Sequence, residues 1–572
     1  MSEMNQDNPW LPKSLLCLRG YRLPTFFADL VAGLTVGLVA LPLAMAFGIA
    51  SGVTPQAGIY TAVVAGFLIS ALGGSRTQIG GPTGAFVVIV AGIIHKYGLS
   101  GLLTVTLMAG VILVAMGLTG LGTAVKFIPR PVTIGFTNGI ALLIASTQIK
   151  DFLGLRTGPI PGEFIGRMEV LGRALSTVHL PTVAVAGLSL AVILLWPRLT
   201  KRIPGSIVAL LLGTVLVALF RIPVETIGSK FGGIPTGLPH IGIPELRFDR
   251  FTELLPSAVT VALLAAIESL LSAVVADGMS GDKHNSNVEL VAQGVANLAT
   301  PFFGGIPATG AIARTATNIR SGAKTPVAGM LHALTLLFIL LVAAPLARFI
   351  PLGTLAAVLF VVAYNMGEWK EIPIILRLSK ADKSVWAVTF ALTVLADLTV
   401  AVEVGIALAA LLYINRIAQT TTVSMVTDEY IEANRVHVLQ EHELPPYVSI
   451  IRIHGPFLFG TTEKLLEELH DLRRLKPVVI LRLRNMTALD GTGLHAIEKA
   501  AERLRASGRT LILCGARDQP AKLLEQSDFV KHVGRENIQP HVAGALERAS
   551  AMVEAFDGVG ADLADEFANQ TI

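Results

Sequence analysis

Long apolar runs, broken by Pro, Gly and single charges, fill the chain up to about residue 420. Between Leu30 and Ser75 there is no Asp, Glu, Lys or Arg. A bilayer crossing takes ~20 apolar residues, so this stretch holds two spans joined by a turn at Thr54-Pro55. The same pattern predicts spans near 30–50, 55–73, 83–94, 99–122, 129–149, 180–197 and 204–220. A second set follows near 254–277, 288–302, 309–319, 326–347, 352–366, 384–401 and 403–418. The halves therefore carry seven helices each, about 29–220 and 254–420, after an N-terminal segment 1–28. Past Arg416 the periodicity changes. From about Val438 it predicts a soluble α/β domain over 437–557: strand 447–453, helix 461–472, strand 478–483, helix 491–506, strand 510–514 and a last helix 542–555. The final segment 558–572 reads as a flexible tail. The expected class is a mostly α polytopic membrane protein of fourteen spans with a small α/β domain.

Composition supports this class. Of 572 residues, 52% are hydrophobic and 15% charged, which is too little charge for a soluble surface of this size. The net charge of +4 comes largely from basic loops beside spans, which set orientation and imply no nucleic-acid partner. An N-terminus inside the cell puts Lys13, Arg19, Arg22, Arg76, Lys126, Arg130, Arg198, Lys201, Arg202, Lys283, Arg320, Lys324, Lys370, Arg377, Lys380 and Lys383 on the cytoplasmic side. That matches the positive-inside bias of a multi-pass inner-membrane protein, and an even number of spans returns the C-terminus to the cytoplasm. The first apolar run starts too late for a cleaved leader. Cys17 and Cys514 are expected to stay reduced, with neither a disulfide nor a metal site. His240, His284 and His332 lack metal-ligand spacing, and no nucleophile triad, phosphate loop or dinucleotide fingerprint is present, so neither a cofactor nor catalysis is expected.

The third and tenth spans are short and begin with Gly and Pro: Gly80-Gly81-Pro82-Thr83-Gly84-Ala85 and Gly304-Gly305-Ile306-Pro307-Ala308-Thr309-Gly310-Ala311. Aligning Gly84 with Gly310 gives an offset of 310 − 84 = 226 and carries Pro42 onto Glu268. Seven spans separate the copies, so the second is inverted. Matched broken segments in two halves point to a transporter's binding site. Helix N-termini expose unpaired N–H groups and about half a positive charge, so two of them facing one another suit an anion. Thr83, Gly84, Ala85 and Phe86 would frame one side, and Gly310, Ala311 and Ile312 the other; tight helix packing by small residues is the alternative.

Arg314 lies in an otherwise uncharged stretch and needs a partner, either a substrate anion or Glu268. Glu268 is the only charge between Leu254 and Ala276. As an ion-coupling group it could take up and release a proton, with Ser269 and Ser272 donating hydrogen bonds; alternatively it only orients Arg314. Phe47 would form an apolar wall of the site or simply pack.

These residues resemble the sulfate permease (SulP) family of anion transporters. The resemblance rests on Asp29-Leu30-Val31-Ala32-Gly33-Leu34-Thr35 leading to Pro42, on Gly81-Pro82-Thr83, on Glu268-Ser269-Leu270-Leu271-Ser272, and on Thr309 through Asn318. It implies a seven-plus-seven inverted repeat of the uracil-permease type. A core of spans one to four and eight to eleven would move against a gate, in a homodimer embedded in lipid. The soluble domain resembles a STAS domain, with Leu489-Asp490-Gly491-Thr492-Gly493-Leu494 at the family's Asp-Ser-Ser-Gly turn, and a cytoplasmic protein partner is implied. Thr492 stands where relatives carry a phosphorylated serine, but Gly491 departs from that pattern, and capping of its own helix is the expected role. Leu43 stands where many members place Gln or an acid. With Glu268 and Arg314, the resemblance favours proton-coupled uptake of sulfate or a C4-dicarboxylate. A sodium-dependent bicarbonate carrier and a membrane-anchored STAS signalling protein are the rivals.

Overall fold

The computed structural model describes residues 10–123, 129–200, 204–234, 241–396, 398–426, 445–527 and 529–557. Lys126, Lys201, Arg202, His240 and the tail 558–572, which carried expectations above, lie outside the described residues. The chain divides into two compact units, Met1–Ala409 and Ala410–Ile572.

In the first unit the helices are α1 (Lys13–Leu18), α2 (Leu23–Ala50), α3 (Pro55–Leu72), α4 (Gly84–Leu118), α5 (Arg130–Leu153), α6 (Phe164–Arg173), α7 (Leu180–Leu199), α8 (Gly205–Phe220) and α9 (Ile227–Phe231). The second half supplies α10 (Phe251–Ser280), α11 (Ser286–Ala299), α12 (Ile312–Arg320), α13 (Val327–Ala347), α14 (Leu352–Met366), α15 (Ile372–Ile375) and α16 (Lys380–Leu395), and α17 (Leu398–Thr420) runs into the second unit. Among the described residues seven helices are long and apolar enough to cross a bilayer by themselves, and α8 and α14 are shorter apolar helices. Each expected span has a helical counterpart. The third and fourth are the two parts of α4, which breaks at Gly98 with φ 73°, a conformation suited to a residue without Cβ. Proline in the first turn starts α3, α5 and α7, where its missing N–H costs no hydrogen bond.

Two-residue strands precede the third and tenth spans. β1 (Gly80–Gly81) and β2 (Thr309–Gly310) pair antiparallel, Gly80 with Gly310 and Gly81 with Thr309. Because the strands run oppositely, α4 and α12 leave the ribbon in opposite directions, which is the inversion expected of the repeats. The pairing corrects the offset: the ribbon's two-fold relates Gly81 to Gly310, 310 − 81 = 229, rather than Gly84 to Gly310. Gly310 is thus a strand residue, and α12 begins two residues later.

Extended backbone inside a membrane protein must find all its partners within the protein. Side chains supply them here. Thr61 Oγ1 accepts from the N–H of Ile306 at 2.7 Å, and Thr315 Oγ1 from that of Ile79 at 3.0 Å. Asn297 holds Ala308 by both its N–H and C=O, and Asn318 donates to the carbonyl of Thr77. Glu289, fully buried in α11, accepts from the N–H groups of Gly74 and Ser75.

The second unit is a five-stranded sheet in the order β3 (Thr422–Val426), β4 (Val448–Phe457), β5 (Val478–Leu489), β6 (Thr510–Cys514), β7 (Ile538–Gln539). β3 is antiparallel to β4, and the other pairs are parallel. β3 lies ahead of the boundary expected at 437. Residues alternate between two apolar layers. Ile451, Ile453, Leu481 and Leu513 face one layer with α18 (Glu463–Glu468), α19 (Gly491–Ala506), α20 (Asp518–Gln526) and α21 (Phe529–Val533). Ile450, Ile480, Ile512 and Cys514 face the other, under α22 (Val542–Asp557). The expectation that Thr492 caps α19 is corrected. Asp490 is the cap and accepts from Gly493 N at 2.8 Å, while Thr492 is exposed in the first turn.

Candidate functional site

The ribbon sets the tips of α4 and α12 at its two ends. Thr83 is the cap position of α4 and Ala311 that of α12, and neither cap side chain accepts from its helix's first N–H groups. Backbone N–H groups therefore remain the donors at both tips. Around these tips sit the two charges singled out by sequence. Glu268 Oε2 accepts a hydrogen bond from Thr83 Oγ1 at 2.8 Å. Arg314, 2% exposed, donates through Nη2 to the carbonyl of Pro82, and its Nη1 is buried with no hydrogen-bond partner. Glu268 and Arg314 thus bind the segment that opens α4 and form no direct ion pair. A buried guanidinium with an idle donor, beside helix tips and a carboxylate, has the chemistry to take an anion.

Glycine makes this approach possible. A Cβ on Gly81 would lie 2.7 Å from Arg314 Nη1, and one on Gly310 would collide with the Gln78 amide. Gln78 donates to the carbonyl of Ser269 at 3.1 Å, tying the lead into β1 to α10.

Phe47, 4% exposed, reaches the tip of α4. A Cβ on Gly84 would sit 3.1 Å from Ile144 of α5, 3.3 Å from Met366 at the end of α14 and 3.4 Å from Phe47. Side chains of α2, α5 and α14 therefore close over this tip. Ala85 and Phe86 are buried, Phe86 completely, within the apolar core. Gly310 and Ala311 are buried in the ribbon and at the cap, while Ile312 is 38% exposed. Leu43 packs against apolar clusters.

The serines do not serve Glu268 as expected. Ser269 donates to the carbonyl of Ala266 in its own helix, and Ser272 donates to Thr315; Thr83 supplies the hydrogen bond instead. Sequence reasoning passed over Gln78, Thr315 and the buried stripe Glu289, Gln293, Asn297. That stripe carried a signal. Polar residues four apart on an apolar helix share one face, and a helix that buries such a face has backbone to satisfy.

Two cavities among the described residues lie near the C-terminal end of α5. One, about 430 Å³, is lined by Ser51, His95, Thr147, Lys150 and Arg167 among others. The second, about 360 Å³, includes Lys150, Asp151, His179 and Glu225.

Comparison with known proteins follows the same lines. The chain matches the sulfate permease family over residues 26–389 and the STAS domain over 440–545. It is 44% identical, over 91% of its length and 98% of the relative's, to YvdB of Bacillus subtilis (strain 168), a protein named as a candidate sulfate transporter. It is 33% identical to the bicarbonate transporter BicA of Picosynechococcus sp., over 94% of this chain and 96% of that one. Sulfate transporter 4.1, chloroplastic, of Arabidopsis thaliana is 26% identical over 92% of this chain and 81% of its own. Among solved structures, the transmembrane domain of a cyanobacterium BicA aligns with a TM-score of 0.60 at 33% identity, covering 68% of this chain and 98% of that one. SLC26A9 shares the fold over 98% of this chain and 94% of its own, with a TM-score of 0.85 at 19% identity.

Proposed function

Because the chain belongs to the sulfate permease family of multi-pass membrane transporters, we propose that it takes up sulfate or a C4-dicarboxylate together with protons by alternating access. The carrying observation is the buried Arg314, with Nη1 idle, beside two oppositely directed helix starts. In this reading the anion binds between the tips of α4 and α12, framed by Thr83, Gly84, Ala85, Phe86, Gly310, Ala311 and Ile312 and neutralised by Arg314. Glu268 carries the coupled proton. It shares a hydrogen bond with Thr83, so protonating the carboxylate perturbs the first turn of α4 directly. Ser272 acts through Thr315 and the ribbon rather than on the ion.

Alternating access has a physical basis in the closure at Gly84. Phe47 and Gly84 belong to spans one and three of the moving core, while Ile144 and Met366 belong to spans five and twelve of the gate. Sliding core past gate separates these contacts and opens the tip to one side of the membrane. The transporter works as a homodimer in the inner membrane, with both termini and the STAS domain in the cytoplasm, where that domain meets a protein partner. Regulation through Thr492 remains compatible with its exposed place on α19.

A second reading, bicarbonate carriage, is favoured by the 33% identity to BicA over nearly the whole chain. Uptake into proteoliposomes with labelled sulfate, fumarate and bicarbonate, under separately imposed proton and sodium gradients, tests both. Uptake of a dianion that follows the proton gradient is expected. Uptake that follows sodium and ignores pH would overturn proton coupling.

A further inference from the structure

The cavity of about 430 Å³ lies at the ends of the spans away from the N-terminus. It is bounded by the last turn of α2 and the turn after it, one face of α4, the last turns of α5, and the segment 158–171. No Asp or Glu lines it, whereas Lys150, Arg167 and His95 do. Of the acids nearest in sequence, Asp151 pairs with Lys230 at 3.4 Å, Glu169 on α6 pairs with Arg173, and Glu163, at the cap of α6, does not line the cavity.

Arg167 is 5% exposed. It donates to Ser146 Oγ at 2.9 Å and to the carbonyl of Gly162 at 2.7 Å, both uncharged acceptors, and burial lowers its pKa from the ordinary arginine value. A guanidinium desolvated without a carboxylate is costly unless an anion completes the site. Among the described residues no carboxylate lies within 4 Å of Lys150 or Arg167. Ser51, 1% exposed, lines the same cavity with its hydroxyl unpartnered.

The position of the cavity gives it a use. Phe47, Gly84 and Ile144, which meet at the tip of α4, lie on the helices that line the cavity. Ser51 follows Phe47 by four residues, Ala91 follows Gly84 by seven and Thr147 follows Ile144 by three. At 1.5 Å per helical residue the closure is ~5–10 Å deeper along the same helices. We propose that this cavity is a second anion site, a collecting site in which Lys150, Arg167 and Ser51 hold a small oxyanion before it passes Phe47 and Ile144. Its role in passage rests on the transport function proposed above; its binding of an anion does not.

Equilibrium binding of labelled sulfate to the purified full-length protein, with bicarbonate and fumarate as competitors, tests this. Two classes of site are expected in the unaltered protein. Lys150→Gln should weaken one class about fivefold and Lys150→Arg should restore it, since the charge rather than the chain length carries the binding. Arg167→Lys, which keeps the charge but loses the two-pronged geometry, should weaken the same class about tenfold. Arg314→Gln should remove the other class only. An isotherm unchanged by Lys150→Gln and Arg167→Lys, equal effects of Lys150→Gln and Lys150→Arg, or no binding of any of the three anions to the unaltered protein would overturn the proposal. A single class of site, untouched by Arg314→Gln and weakened by Lys150→Gln, would overturn the site at the helix tips and leave the collecting site standing.

Discussion

The guanidinium of Arg314 lies over the α-carbon of Gly81, so close that a Cβ there would sit 2.7 Å from Nη1 and 3.4 Å from Cα of Ala62. Gly81 also has φ 145°, a backbone conformation that residues with a Cβ rarely adopt. The ribbon and the arginine are one construction: the strand can pass beneath the charge only as glycine, and the charge can reach Pro82 only over glycine.

Gly81→Ala should therefore damage function and fold together. Strain at positive φ costs about 1–3 kcal/mol, and the guanidinium must move to admit the methyl group. The expected result is a lower unfolding temperature together with loss of anion-induced stabilisation. A variant that keeps its full thermal shift with sulfate would show that Arg314 does not need its observed place.

Glu268→Gln keeps an oxygen that can accept from Thr83 Oγ1 but cannot exchange a proton. Anion binding should persist while uptake loses its pH dependence. Thr83→Val removes the donor and leaves the carboxylate, so pH dependence should remain with an altered midpoint. Proteoliposome uptake at a series of pH values separates the two variants. Persisting pH dependence in Glu268→Gln would assign coupling to another group.

The spans were legible because lipid demands unbroken apolar runs, and Glu268 and Arg314 stood out because isolated charge inside such runs is costly. The broken segments announced themselves through Gly and Pro. Their register did not: composition matched Gly84 to Gly310, whereas hydrogen bonding relates Gly81 to Gly310, and a two-residue ribbon leaves no periodicity to read. Thr61, Gln78 and Thr315 are ordinary polar residues whose importance comes from backbone groups far away in sequence, and Asn297 matters only because the extended backbone at Ala308 folds back onto α11. The same blindness applies to β3, whose partner β4 lies beyond residues 427–444, and to Asp490, which takes the cap expected of Thr492.

Glu289 should prove a structural anchor of the ribbon. Its Oε2 accepts from Gly74 and Ser75, and its Oε1 from Gln293 at 2.9 Å. Glu289→Ala leaves two buried N–H groups without acceptors, a loss of about 2–6 kcal/mol. Reduced yield of folded protein and a lower unfolding temperature are expected, with Glu289→Gln intermediate because it can satisfy only part of the set. Equal stability of Glu289→Ala and the unaltered chain would contradict this role.

In the STAS domain, Asp490 and Thr492 should differ sharply. Asp490 caps α19 through Gly493 N and also accepts from Phe459 N at 3.0 Å, so Asp490→Ala should cost about 1–2 kcal/mol, while Thr492→Ala on the exposed first turn should change little. Cys514 reports the difference. It is 1% exposed in the sheet, and burial pushes its thiol up from 9.0 to about 11. At pH 8 only ~10⁻³ of such a thiol is thiolate, so alkylation in the folded domain is slow and opening governs the rate. Asp490→Ala should therefore label Cys514 faster at pH 8, and Thr492→Ala should match the unaltered protein. The pH sign follows from the same shift. Above 9.0 the unfolded thiol releases its proton while the folded one keeps it, so this contribution to stability is full below pH 9 and is lost as pH rises to about 11. Cys514→Ala should flatten that decline in the STAS transition; an unchanged decline would assign it to other groups.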